Sequence, residues 1–355
     1  MRSLLLFLVL GMTGISLFNL FTIYRPRTST HIGDALAVLI PLRNEAENVA
    51  GLIETLKAQR GVDRAHFYLL NDNSEDETLE LLERHTLGDS RFSIINGEPL
   101  PTGWLGKPWA LSQLERASSE EIVITLDADV RLEPYALASA TTLLLTSTLD
   151  FISPYPRQVA GTFIEKMIQP LVHWTWIATL PLKFAARSHR PSMAVANGQF
   201  FLMRRSALSA VGGFAAISAE VLDDVMLARA FMRAGFSGTA AAGSAIAQTR
   251  MYSSFAQIRA GYGKSLWKAF GGPVGPYIAI ALIFFTSIYP FFLLHQFYGW
   301  VVIFYLFMTR VVSAIIAREQ IRYIFFHPIS AAILIYLIIY SLLRHSSITW
   351  KARPL

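Results

Sequence analysis

An α/β domain with a mainly parallel sheet, set between an N-terminal transmembrane anchor and a C-terminal bundle of transmembrane helices, is the architecture this 355-residue sequence predicts. Three observations point to it. Apolar residues make up 53% of the chain and its mean hydropathy is +0.41, high for a fully soluble protein. Long uncharged stretches stand near both ends. Between them, short strand-like runs alternate with amphipathic helical ones, the pattern of a parallel sheet with crossover helices.

The anchor is expected within 1–25. Leu4 to Tyr24 carries no charge, and roughly 20 helical residues cover a ~30 Å hydrocarbon core. A cleaved signal peptide is the alternative, but no clear small-x-small cleavage site follows. Arg25 and Arg27 follow the run and only Arg2 precedes it, so the charge rule puts the next domain on the cytoplasmic face of the cell membrane.

Residues 34–272 should form that domain. LAVLIP (36–41) reads as a buried strand, and in the EAENVAGLIETLKAQ that follows, Val49, Leu52, Ile53 and Leu56 recur at helical spacing. HFYLLN (66–71), RFSIIN (91–96) and EIVITLD (121–127) repeat the strand signal, with helical DETLELLERH and KPWALSQLERA between them. Parallel sheets of this kind bind ligands beyond the carboxyl ends of their strands.

Asp127 and Asp129 fall at such an end, in TLDADV. In an extended segment, residues i and i+2 point to one side, so both carboxylates reach one cation, or one diphosphate through it. Hard oxygen donors select Mg²⁺ or Mn²⁺ over zinc. Ten aspartates in 355 residues give about 0.3 Asp-x-Asp pairs by chance, so position carries the reading. A polar turn is the bland alternative.

The second strand ends in LLNDNSEDET. Asp72 there can accept the N3–H of a uracil ring, while Ser74 and Asp76 read as an Asx turn or as caps of the next helix. After the first strand, Glu45 is equally a first-turn helix acid or a ribose contact.

Three apolar stretches within 275–345, at Tyr277–Leu294, Tyr298–Ala317 and Tyr323–Leu343, complete the bundle, with Arg310 their only permanent charge. Arg318 and Arg322 flank one side, and Arg344, with Lys351 and Arg353 of the tail (346–355), the other. Both sides are basic, so one stretch is left open as re-entrant or interfacial. Residues 160–185 are too polar to span and are expected at the membrane interface, or else packed on the sheet.

Several chemistries are set aside. There is no cysteine, hence no disulfide and no thiolate site. The net charge of +6 suits anionic lipid better than nucleic acid, because no dense basic run with interleaved aromatics occurs. Eight histidines are scattered without metal-ligand spacing, and GKP at 106–108 is not a phosphate loop.

IPLRNEAEN, LLNDNSEDET, TGWLGKPWAL and TLDADV, in this order and spacing, resemble the family 2 glycosyltransferases built on the nucleotide-sugar fold called GT-A. With NGQFFLMRRSALSAVGGF (197–214), LDDVMLAR (222–229), RMYSSF (250–255) and ITWKARP (348–354), the chain is similar to a membrane-bound bacterial branch that glycosylates carotenoid acids and accompanies hopanoid synthesis. The resemblance implies that Pro41, Glu45, Asp72, Lys107, Asp127 and Asn197 bind a UDP-sugar, that Asp127 and Asp129 hold Mg²⁺ or Mn²⁺, and that Asp224 or Asp223 is the catalytic base. Read without it, Lys107 is a surface lysine at a helix start, and Asp223 with Asp224 a solvated pair. It further implies inverting transfer of a sugar, glucose by preference, to a lipid acceptor such as a carotenoid. A polyprenyl-phosphate sugar transferase and a catalytically silent membrane scaffold are the alternatives.

The chain also departs from relatives. Processive synthases and ceramide-type enzymes carry Gln-x-x-Arg-Trp after the base, but here Gln257, Arg259 and Trp267 are out of that spacing. Arg250, Arg259 and Lys264 are left between a diphosphate contact and lipid headgroups.

Overall fold

The computed structural model describes residues 2–344, 349–350 and 353–354. Most of the expected tail, Lys351 included, lies outside the described residues. Helix α1 (Arg2–Thr22) leads into β1 (Leu36–Leu42), α2 (Ala46–Lys57), β2 (Ala65–Asn71), α3 (Thr78–Thr86), β3 (Phe92–Asn96), α4 (Gly106–Ala117) and β4 (Ile122–Leu126). There follow β5 (Val130–Leu132), α5 (Ala136–Ser147), β6 (Phe151–Tyr155), β7 (Arg157–Gln158), α6 (Phe163–Thr179) and α7 (Leu182–Ala185). The domain closes with β8 (Phe200–Arg204), α8 (Arg205–Ala210), α9 (Asp223–Arg233), β9 (Gly238–Ala242), β10 (Ala247–Thr249), α10 (Phe255–Gly263) and α11 (Leu266–Ala269). Helices α12 (Gly275–Ser287), α13 (Phe297–Ala317) and α14 (His327–Arg344) form the C-terminal bundle.

The central sheet has the order β3-β2-β1-β4-β8-β6-β9. Its first four strands are parallel, as expected. Three further strands extend it, with β8 antiparallel between β4 and β6, and β9 parallel to β6. GTAAA of β9 has no strand propensity of its own. It is a strand because both its faces are buried, and a side chain at Gly238 would collide with the Phe151 ring.

Along β1, Leu36, Val38 and Ile40 join a core beneath α2 and α5, whereas Ala37 and Leu39 join a second core with Leu111, Leu114, Phe201 and Phe231. Burial on both faces is what made this strand an unbroken apolar run in sequence.

Among the described residues, four segments are long and apolar enough to cross a membrane: Arg2–Thr22, Gly275–Leu293, Phe297–Ala317 and Ile321–Arg344. The second is broken, because Pro290 lacks the N–H that would continue α12 and a 3₁₀ turn, Tyr289–Leu293, takes over. Helix α6 packs mainly against α1, α13 and α14, and it also meets the sheet, where Ile177 shares a core with Ala240 and Ala242 of β9 and the rings of His173 and Trp176 pack on Tyr155 of β6. Its start is closed by a capping box between Thr162 and Glu165. Near its end, Asn19 of α1 donates to the carbonyls of Ile177 (2.8 Å) and Leu180 (2.7 Å) and accepts from Leu182 N (2.9 Å). Those bonds satisfy the polar Asn19 side chain and two backbone carbonyls at the end of α6.

Candidate active site

The carboxyl ends of β1, β2 and β4 finish along one edge of the sheet, at Leu42, Asn71 and Leu126. Because β8 runs the other way, its entry, Asn197–Gly198–Gln199, meets that same edge, and Asp127 N donates to Gln199 O at 3.0 Å. A cavity of about 1040 Å³ opens here. Pro41, Glu45, Asp72, Lys107, Asp127, Asp129, Asn197, Asp223 and Asp224 all line it.

Asp127 and Asp129 are not on an extended segment. Val130 N donates back to Asp127 O at 3.2 Å, closing a turn between β4 and β5, so strand alternation is not what brings them together. Asp129 Oδ2 accepts from Thr249 Oγ1 at 2.8 Å, and burial together with the Asp127 charge pushes its carboxyl up to about 6. Among the described residues no group of three or more metal-ligating side chains converges. The chain therefore offers two hard carboxylates that repel each other at one turn. That set fits Mg²⁺ or Mn²⁺, which takes one or two carboxylates and completes its shell with substrate phosphates and water.

Lys107, second residue of α4, is no surface lysine. Its Nζ donates to Asp127 Oδ1 at 2.7 Å and lies 3.6 Å from Asp223 Oδ2. Burial opposes its charge, yet Asp127, Asp223 and Asp224 hold the ammonium well above the ordinary lysine range. Nor are the acids of α9 a solvated pair. Asp224 accepts from Gly198 N through Oδ2 and from Val225 N through Oδ1, each at 2.7 Å. Burial and the neighbouring Asp223 push its carboxyl up to about 6. Gly198 fits tightly between the two groups: a Cβ there would lie 3.1 Å from Lys107 Nζ and 3.4 Å from Asp224 Oδ2.

On the β1–β2 side, Asp72 is 2% exposed at the end of β2. Glu45 stands at the N-cap of α2 without capping it; its Oε2 accepts from Asn48 Nδ2 at 2.7 Å beside the cavity. Asp76 forms an Asx turn, accepting from Thr78 N at 3.1 Å, and it also accepts from Ala46 N at 3.1 Å, tying the starts of α2 and α3 together; the N-cap of α3 is Glu77. Ser74 does not cap α3; its hydroxyl accepts from Asn44 N. The Asn197 Oδ1 accepts from Gln199 N at 2.8 Å, which fixes the entry of β8.

The Gly-Gly-Phe turn has a steric cause. Gly212 and Gly213 both have positive φ, and a Cβ on Gly213 would stand 2.5 Å from Glu115 Oε2, the oxygen that accepts from Phe214 N.

Sequence reasoning missed Thr249, which reaches Asp129 from a strand 120 residues downstream, and Tyr252, which lines the cavity just after that strand. Arg250 and Lys264 line the cavity, and Arg250 Nε lies 3.6 Å from the buried Glu165. Arg259 instead lies over the Tyr340 ring of α14. Gln257 Oε1 accepts from Ser253 N while its own N–H donates to Ser254, the N-cap of α10, and Trp267 N donates to Ser341. None of the three Gln-Arg-Trp residues lines the cavity.

Beyond Asp223 the cavity continues between α6, through Val172, Thr175 and Trp176, and α10–α11, through Tyr262, Leu266 and Phe270, as far as Leu334 of α14. A polar, carboxylate-rich half thus opens into an apolar half made by the bundle.

A mixed sheet with paired carboxylates and a lysine at its carboxyl edge, seated on apolar helices, is the arrangement of a GT-A glycosyltransferase. Residues 37–212, just under half of the chain, match the model of Glycosyl transferase family 2 and form a domain of that family. The curated 4,4'-diaponeurosporenoate glycosyltransferase of Staphylococcus haemolyticus (strain JCSC1435) is 24% identical over 250 residues, 68% of this chain and 65% of that one. The match thus spans less than two thirds of that relative's length. Among solved structures, mannosyltransferase PcManGT from Pyrobaculum calidifontis, in complex with GDP-Man and Mn2+, superposes with a TM-score of 0.59 at 15% identity. It covers 97% of this chain and 98% of that one, a likeness of fold that includes the apolar helices.

Proposed function

We propose that this protein transfers a sugar, with UDP-glucose as first-choice donor, to a hydroxyl of an isoprenoid lipid such as a carotenoid, with inversion, at the cytoplasmic face of the cell membrane. One observation carries the reading: a single cavity joins the Lys107–Asp127–Asp223 cluster to an apolar arm within the bundle. A water-soluble donor and a greasy acceptor can meet there without either leaving its own phase.

The roles follow from placement. Asp72 accepts from the uracil, Pro41 and Glu45 line the ribose side, and Asn197 shapes the sugar side through the β8 entry. Asp127 and Asp129 hold Mg²⁺ or Mn²⁺, which when bound neutralises charge on the departing diphosphate. Lys107 adds a fixed positive charge beside that oxygen.

Asp224 is the base. Its oxygens are oriented by two backbone N–H groups, and a carboxyl near 6 is matched to neutral pH. As the acceptor oxygen bonds to the anomeric carbon, the bond to phosphate breaks with its electron pair and the hydroxyl proton passes to Asp224. Asp223, near Lys107, keeps that lysine in place. A carboxylate acceptor is already ionised and would meet Asp223 and Asp224 as like charges, so a hydroxyl suits the site better.

The test uses membranes containing the protein, labelled UDP-glucose, Mn²⁺ or Mg²⁺ and a bacterial lipid extract, beside an Asp129→Ala control. A labelled lipid absent from the control is expected, and its mass separates a carotenoid or hopanoid glycoside from a polyprenyl phosphate sugar. No product with any nucleotide sugar and supplied isoprenoid acceptors would return the protein to the scaffold reading.

A further inference from the structure

Helix α9 carries two charge groups of opposite sign. Asp223 and Asp224 begin it, and Arg229 and Arg233, one turn apart, line the same cavity further along. Like charges at i and i+4 repel. Among the described residues neither arginine has a carboxylate within 4.0 Å. Glu220, the acid that acts on Arg229, is engaged by Lys268 at 3.4 Å. Burial and Arg233 hold the Arg229 guanidinium below its usual range, and Glu220 offsets this in part.

The pair also lies close to the start of an apolar segment. A Cβ on Gly271 would stand 3.9 Å from Arg229 Nη2, and Gly271 precedes by four residues the start of α12, which is apolar enough to cross a bilayer. Between them, α11 presents Trp267 with Lys268 Nζ 5.2 Å from its ring centre, the aromatic and basic mix of a membrane interface. Leu266 and Phe270 line the cavity beside it. At 1.5 Å rise per residue, Arg229 and Arg233 stand about 9 and about 15 Å along the helix from Asp223. An anion held there is too far from the acids to be the attacking group.

We propose that Arg229 and Arg233 bind the phosphodiester headgroup of an anionic bilayer lipid at the rim of the cavity. The lipid's acyl chains run down beside α11 and α12, and its phosphate separates the two guanidinium groups. The binding fixes how deep the domain sits against the membrane, and it does not depend on which acceptor the enzyme uses.

Native mass spectrometry of the purified full-length protein tests this, with phosphatidylglycerol, phosphatidylcholine and undecaprenyl phosphate offered separately as probes. Phosphatidylglycerol should be retained by the parent and by Arg229→Lys/Arg233→Lys, but held about 30-fold more weakly by Arg229→Gln/Arg233→Gln, in line with two basic contacts at an anionic headgroup. Arg84→Gln, on the exposed face of α3, should retain it like the parent. Equal retention by the Gln pair overturns the proposal. So does retention of undecaprenyl phosphate alone, which would assign the arginines to an acceptor. If the Gln pair misfolds, competition by added salt on the parent supplies the same readout. Lipid retention is read without sugar transfer, so this result and the glycosyltransfer assay stand or fall separately.

Discussion

The Lys107 ammonium donates to Asp127 Oδ1 across 2.7 Å and remains 3.6 Å from Asp223, so one cation from the start of α4 ties the turn after β4 to the start of α9. Removing it leaves two carboxylates facing each other. Lys107→Ala should lower stability by about 2 kcal/mol, less than the ~3–5 of a dry buried pair because the cavity admits water. Thermal unfolding in detergent measures this. In an Asp127→Asn background the same change should cost clearly less, and strict additivity would argue against the pairing.

Asp129→Ala should abolish stimulation by Mn²⁺ or Mg²⁺ while leaving the fold intact, since the side-chain bond it gives up is the one accepted from Thr249 Oγ1 at the end of β10. A metal titration of activity decides it. A variant that is still activated with unchanged midpoint would exclude Asp129 as a ligand.

Asp224 must be ionised to take a proton. Because its carboxyl is raised to about 6 by burial and by Asp223, the rate should climb as pH rises through that region and level off above it. The limb belongs to the coupled pair rather than to one residue. Asp224→Asn should lower kcat by about 10²–10⁴, Asp223→Asn by less, and a pH–rate profile of each shows which removes the acid limb.

Gly198→Ala adds a methyl 3.1 Å from Lys107 Nζ and 3.4 Å from Asp224 Oδ2. Activity should fall at least about tenfold through displacement of these groups, where ~1 Å of misplacement is costly. The circular dichroism spectrum should be unchanged. Full activity would mean that the pair has slack.

Glu165 accepts from Gly161 N (2.7 Å), Thr162 N (3.2 Å) and Thr162 Oγ1 (2.6 Å), and Arg250 adds its charge. Burial raises its carboxyl, but these bonds together win and hold it below the usual range. Its folded-state value is lower than its unfolded one, so its stabilisation is complete above about pH 4.5 and is lost as pH falls through the folded value. Glu165→Gln should therefore narrow the gap in melting temperature between pH 7 and pH 4 in detergent. An unchanged gap would remove Glu165 from the acid-sensitive set.

The half of the sheet built from local signals was legible in sequence. Leu36–Pro41 and Ile122–Leu126 are apolar because both faces are covered, and the helices between them carry their own 3.6-residue period. Strands β6, β8 and β9 were not legible, since five-residue runs such as GTAAA owe their conformation to Phe151 and other neighbours far away in the chain. The same divide runs through the site. Asp127 and Asp129 announced themselves at a strand end, while the turn that joins them depends on β5 and the distant β10. Lys107 looked like a surface residue because its partners arrive 20 and 116 residues later in sequence.

The walls of the cavity are segregated along the chain. Residues 41–110 form the side toward β1 and β2, whereas 172–180, 250–271 and Leu334 form the side toward the bundle, and 127–155, 191–199 and 220–233 supply the remainder. Evolution can redraw one wall without disturbing the other. Under the proposed function, drift in α6, α10 and α14 alone would exchange one lipid acceptor for another and leave the nucleotide side as it was.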